Sequence, residues 1–252
     1  MSDVDHSKMK LGLNELLHPL SLLALARYAL PSLTWPTSRD HSAPASAYAM
    51  HLNDQLGICT IAALANMIAT WIYLATGTIV VIDDSFLLAM YCQFGYVVGN
   101  DATDQGCDAQ AVVDAAISEG LNGHKALAAV DVGDLVCAAI YFFGGCYLAV
   151  GLPIAAQSQA VWDIAPGTPL TGDNAVASWG RHLIILVGYD EDGAWAITWG
   201  QRKRVTHRWI AAYRLQAFAL LSADMLRPDG KSAEGFDLDA LKADLPQIGT
   251  AA

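Results

Sequence analysis

The chain has 252 residues, 54% hydrophobic and 15% charged, with a formal net charge of −11. That length and apolar content fit one large domain or two small ones around a sizeable core. The acidic balance sets nucleic acid and anionic membrane surfaces aside as partners.

Residues 1–30 read as an N-terminal arm, polar up to 10 and then one helix or two short ones split at Pro19. Leu20–Ala26 faintly suggests a secretion signal, but Asn14, Glu15, His18, Pro19 and Arg27 interrupt the pattern. Pro31, Pro36 and Pro44 make 31–50 an extended surface segment. Cys59–Ala75 is apolar and rich in helix formers, and so predicts a buried central helix ending at Thr76-Gly77. Ile79–Ile82 is a short β-branched run, and Asp83-Asp84-Ser85 offers a cap for a helix over Phe86–Phe94.

A polar loop over 99–109 leads to a helix at Gln110–Glu119, closed by Gly120. Ala128–Val132 predicts a strand, Asp134–Phe142 a helix and Cys146–Leu152 a buried strand, followed by a loop-rich stretch over 153–181. His182–Tyr189 and Ala194–Trp199 flank Asp190–Gly193 and predict a hairpin. Gly200–Arg204 reads as a polar turn, Val205–Tyr213 as strand or helix, and Ala217–Leu221 as a last strand. Residues 227–252 read as a C-terminal arm around a short Phe236–Leu245 helix. A helical part (about 50–145) precedes a strand-rich part (about 146–226), an α+β layout with a cleft between two lobes.

The five cysteines (Cys59, Cys92, Cys107, Cys137, Cys146) are an odd number without a CxxC pair. That argues against a disulfide framework or a metal site and for a reducing compartment, and nothing calls for a cofactor. Cys59 differs from the others in standing at a predicted helix start, where backbone N–H groups and the helix dipole favour a thiolate. Asn53 and Gln55 place amides near it, and Gly57 permits a tight turn. His182, at the start of an apolar strand and so expected near a surface or cleft, is the best base, ahead of His51, His124 and His207. Cys92, Cys137 and Cys146 lie in apolar runs and read as inert core thiols.

Taken together these residues resemble the papain-like cysteine peptidases. The stretch Asn53…Gly57-Ile58-Cys59 is similar to the family's nucleophile motif, and Gly106-Cys107-Asp108 to its Gly-Cys loop. His182–Tyr189 resembles the strand that carries the family's histidine, and Ile197-Thr198-Trp199-Gly200 its Asn-Ser-Trp-Gly. The resemblance spans about 30–221 and implies a two-lobed fold over 31–226. It also implies Cys59 as nucleophile, His182 as base, Asn53 as oxyanion donor and a cleft near Gln55, Gly57, Trp179 and Trp199. The combination looks most like papain-like proteins of tailed bacteriophages. That would place the chain in a host cytoplasm or a phage particle, with a peptide or protein substrate and with phage structural proteins or a second copy as partners.

Three departures bear on activity. The family's orienting Asn is replaced by Thr198, or by Ile197 in the alternative alignment, and a Thr hydroxyl orients an imidazole less firmly than an amide. The family's Gln is the shorter Asn53. Only about fifty residues precede Cys59, too few for the long prosegment of secreted relatives. The resemblance therefore implies a thiol hydrolase, with a catalytically degenerate binding or virion protein and a transglutaminase-like acyl transferase as the other readings.

Overall fold

The computed structural model describes His6, residues 9–14, 23–24, 34–227 and Glu234. The predicted central helix forms as α1, Cys59–Thr76, and ends at Gly77, whose φ of 72° is left-handed. From Cys59 to Trp71 every residue is buried. Ala62, Ala63, Ala65 and Ala69 keep that surface thin, so neighbouring elements pack close to its backbone. By length and composition α1 could cross a membrane, but here it is the helix at the centre of the core. Three polar contacts fix it. Asn66 exchanges two 3.1 Å hydrogen bonds with the backbone of Ala49, the Trp71 indole N–H donates to the Phe143 carbonyl, and the Tyr147 hydroxyl donates to the Thr60 carbonyl.

Helices α2 (Asp84–Gln93) and α3 (Ala109–Ser118) are capped by Asp83 and Asp108, whose carboxylates accept from backbone N–H groups of their first turns. Helix α4 is Val136–Phe143 and α5 is His207–Tyr213, the latter capped by Thr206. The sheet contains β1 (Leu23–Ala24), β3 (Ala126–Asp131), β4 (Cys146–Leu152), β5 (Val161–Trp162), β6 (Gly180–Tyr189), β7 (Gly193–Thr198), β8 (Gln201–Thr206) and β9 (Arg214–Ser222). Its order is β1-β3-β9-β4-β6-β7-β8-β5, and β2 (Arg39–Asp40) pairs with the end of β6. Strand β4 is buried along its whole length and α1 packs on β6. The first turn of α1 and the beginning of β6 therefore meet in the interior.

Three expectations change. Residues 11–14 are extended and not helical, and Leu23–Ala24 pairs parallel to Val130–Asp131; the remainder of 15–30 and the predicted Phe236–Leu245 helix lie outside the described residues. The β-branched run Ile79–Ile82 pairs with no strand among the described residues, and Ile79 and Val81 are about half exposed. The polar run after Gly200 is strand β8. The turn is only Trp199-Gly200, and with both φ angles positive (49° and 67°) it matches the twist of a two-residue hairpin. On that strand Arg202 and Arg204 lie over the Trp195 ring and pair with Asp40 and Asp190. Cys92 is exposed, unlike the buried Cys146.

Candidate active site

Cys59 is the first residue of α1, and no side chain caps that end. The unused backbone N–H groups of Cys59 and Thr60 face the sulfur, as does the N–H of Leu183. Because Leu183 follows His182 in β6, this contact sets the histidine's strand against the cysteine. His182 faces Val150 across the β4–β6 ladder, with its ring fully buried. Its Nε2 lies 2.8 Å from Thr198 Oγ1 on β7, and its Nδ1 is buried without a hydrogen-bond partner among the described residues. Of Thr198 and Ile197, Thr198 is the one whose side chain hydrogen-bonds the His182 ring, and it does so at Nε2. With Nε2–H donated to the hydroxyl, Nδ1 carries a lone pair and can receive a proton.

The Trp199 ring stacks on His182 at 4.6 Å between centroids, with Trp179 at 5.6 Å from Trp199. A bulky side chain at positive φ is a strained arrangement, and here it delivers the ring onto the imidazole. Gly200 permits the turn to pack on the backbone of Ala49 and Met50. Asn53 sits in a turn that begins with His51 and Leu52, both at positive φ; it is buried, and its Oδ1 has no partner. Gln55 is exposed. His51 pairs with Asp84, His124 with Asp224, and His207 with the Asp190 carbonyl.

A stretch that the sequence reading took for helix completes the site. Residues 9–14 run extended across Cys59. The Gly12 N–H hydrogen-bonds the Cys59 sulfur, the Gly12 carbonyl accepts from Cys107 N–H at 2.8 Å, and Asn14 N–H donates to the Cys107 carbonyl at 3.0 Å. Leu13 is thereby bridged parallel to Cys107. Lys10 reaches Asp104 at 3.6 Å, and His6 lies 5.3 Å from the Trp199 ring. Asp104 also accepts from Gly57 N–H (2.8 Å) and from the Tyr91 hydroxyl (2.6 Å), which itself accepts from Gly106 N–H (2.9 Å). One carboxylate and one phenol thus hold both Gly57 and Gly106. Neither was singled out from sequence, where Asp104 is one polar residue among many in a loop and Tyr91 one aromatic in an apolar helix.

Under this cover the helix-start effect on the thiol is overturned. Cys59 is fully buried, and burial pushes its thiol up to about 11 despite the surrounding N–H groups. Burial drives His182 down to about 3. In this closed form the thiol and the imidazole are both neutral, and among the described residues no hydrogen bond joins them. His182 was expected at a cleft surface, but Trp199 and its place as third residue of β6 put it inside.

No family model and no curated protein sequence matches the chain. Solved structures do. Xylellain, a cysteine protease from Xylella fastidiosa, superposes with a TM-score of 0.65 at 12% identity, over 85% of this chain and 96% of its own. The procathepsin B S9 of Trypanosoma congolense gives 0.57 at 9% identity, over 86% and 88%. The digestive procathepsin L2 of Tenebrio molitor gives 0.55 at 12%, over 86% and 79%. The fold is papain-like. In this papain-like fold the central helix begins at Cys59 and the strand-rich layer supplies His182 and Thr198.

Proposed function

We propose that the chain is a thiol peptidase held in a latent state by its own residues 9–14. One observation carries the reading. His182 spends Nε2 on Thr198 and keeps a buried, unpartnered Nδ1, on a strand whose next N–H touches the Cys59 sulfur. A buried imidazole nitrogen left without a partner is costly unless it has a task. In the reaction, Cys59 gives its proton to His182 Nδ1 and the thiolate attacks a peptide carbonyl carbon. The Cys59 N–H and the Asn53 side chain receive the oxyanion. The imidazolium then protonates the departing amine, and water, deprotonated by the same nitrogen, hydrolyses the thioester.

Segment 9–14 meets the sulfur through the Gly12 N–H and so stands between Cys59 and any other peptide. Latency is tested by assaying peptide hydrolysis before and after the segment is displaced by Gly12→Val. Activity that appears in the variant and vanishes with Cys59→Ala supports the proposal. A displaced segment with no hydrolysis of any peptide refutes it. The sealed, uncharged Cys–His pair favours one second reading, a binding protein in which Cys59→Ala changes nothing. Assignment to a phage draws no support from the neighbours, which come from Xylella, Trypanosoma and Tenebrio.

A further inference from the structure

Three glycines converge beside Cys59. A Cβ on Gly12 would fall 1.8 Å from the Gly57 carbonyl oxygen and 2.1 Å from its carbon, and a Cβ on Gly106 would fall 2.1 Å from the Gly12 carbonyl oxygen. Both obstacles are main chain: Asp104 holds the Gly57 N–H, Tyr91 holds the Gly106 N–H, and the Gly12 carbonyl is held by the Cys107 N–H, so none can swing aside like a flexible side chain. The flanking residues are treated differently. Leu11 occupies space that exists because Gly180 has no side chain: a Cβ there would lie 2.7 Å from Leu11 Cδ1. Leu13 is 93% buried at the Cys107 bridge.

We propose that the junction of Gly57 and Gly106 is a glycine-selecting subsite, and that the peptides this cleft takes carry glycine between two aliphatic residues, as residues 11–13 do. The selection is steric. A side chain on the central residue of the bound segment would run into the Gly57 main chain, a side chain at position 106 would run into the segment's carbonyl, and Cys107 pairs with the segment through both its N–H and its C=O. Those two groups serve a peptide strand of either direction, so the slot accepts the chain's own segment and a substrate of opposite polarity. The substrate half of this proposal rests on the peptidase reading above; the binding half does not.

The test uses the full chain and the rate at which iodoacetamide alkylates Cys59, mapped by mass spectrometry. Wild type reacts slowly. Gly12→Val, with circular dichroism and unfolding midpoint checked for an intact core, raises the rate at least tenfold by expelling the segment. Lys10→Glu, which sets a second carboxylate against Asp104, raises it severalfold without adding bulk in the slot. A synthetic peptide of residues 9–14, added to the folded Gly12→Val chain, restores protection. The same peptide with alanine for its glycine needs at least tenfold more for equal protection. Equal protection by the alanine peptide overturns the proposal, as does an unchanged alkylation rate in both folded variants. Cleavage of glycine-free peptides as fast as Leu-Gly-Leu peptides overturns glycine selection and leaves the peptidase reading standing. Glycine-dependent protection without any hydrolysis does the reverse.

Discussion

Tyr91→Phe removes one oxygen and nothing else. That oxygen donates to Asp104 at 2.6 Å and accepts from Gly106 N–H at 2.9 Å, and Tyr91 itself is buried. Burial and the adjacent carboxylate hold the phenol protonated far above its ordinary range, so the hydroxyl is the donor to Asp104. Its loss costs a hydrogen bond to a charged group, about 1.5–3 kcal/mol, and strands a buried N–H, which adds about 1 kcal/mol or more. The total expected is roughly 2–4 kcal/mol. For a chain of this size that lowers the melting temperature by about 5–15 °C. Urea unfolding with a fixed m-value measures the loss. Because Asp104 and Tyr91 also position Gly57 and Gly106, alkylation of Cys59 should quicken in the folded variant. A stability change below about 0.5 kcal/mol together with an unaltered alkylation rate would show that this network does not hold the slot.

Two further outcomes are expected. Thr198→Val keeps the shape and leaves both His182 nitrogens buried and unpaired, so stability falls by about 1–3 kcal/mol. Hydrolysis by the opened chain should fall about tenfold or more; a full rate in the folded variant would remove Thr198 from the site. Stability should also decline with acid, because His182 titrates near 3 when folded and near 6.5 when unfolded. Between these values the unfolded chain binds the extra proton, so stability is complete above about 6.5 and is lost as pH falls. From pH 7.5 to 4.5 this one group removes about 2.5 kcal/mol. His41, also lowered by burial, adds in the same direction. Asp163, held low through Thr206, and Asp190, held low through Arg204, act only below about pH 4. Urea unfolding of His182→Asn should therefore show a flatter profile across this window, and an unchanged slope would contradict the burial argument.

The central helix and the His182–Tyr189 strand were legible because long apolar runs have one good solution in a domain of this size. Cys59 and His182 were singled out by their places at element ends, and Trp199 by the resemblance of its Trp-Gly pair to the family's motif. Residues 11–14 were misread for a physical reason. Leu11 and Leu13 flank a glycine that makes no sense in a helix, but its contacts are with Gly57 and Gly106, far along the chain. Local propensity carries no information about such a partner. Arg202-Lys203-Arg204 was read as a turn because charge suggests solvent, yet Trp195 and two aspartates make that edge a favourable strand. The choice of Nε2 over Nδ1 for Thr198 depends on ring orientation in the folded interior, for which the local sequence holds no signal.

The most direct measurement is the pH dependence of Cys59 alkylation in wild type and in Gly12→Val. The account predicts that in wild type the rate rises only toward pH 11, where the buried thiol ionises. In the opened variant water and the helix-start N–H groups stabilise the thiolate, and the midpoint should fall by several pH units and shift again with His182→Asn. An equally low midpoint in wild type would show that residues 9–14 do not hold the cysteine latent. A midpoint that stays near 11 in the opened, folded chain would show that Cys59 and His182 do not form a working pair.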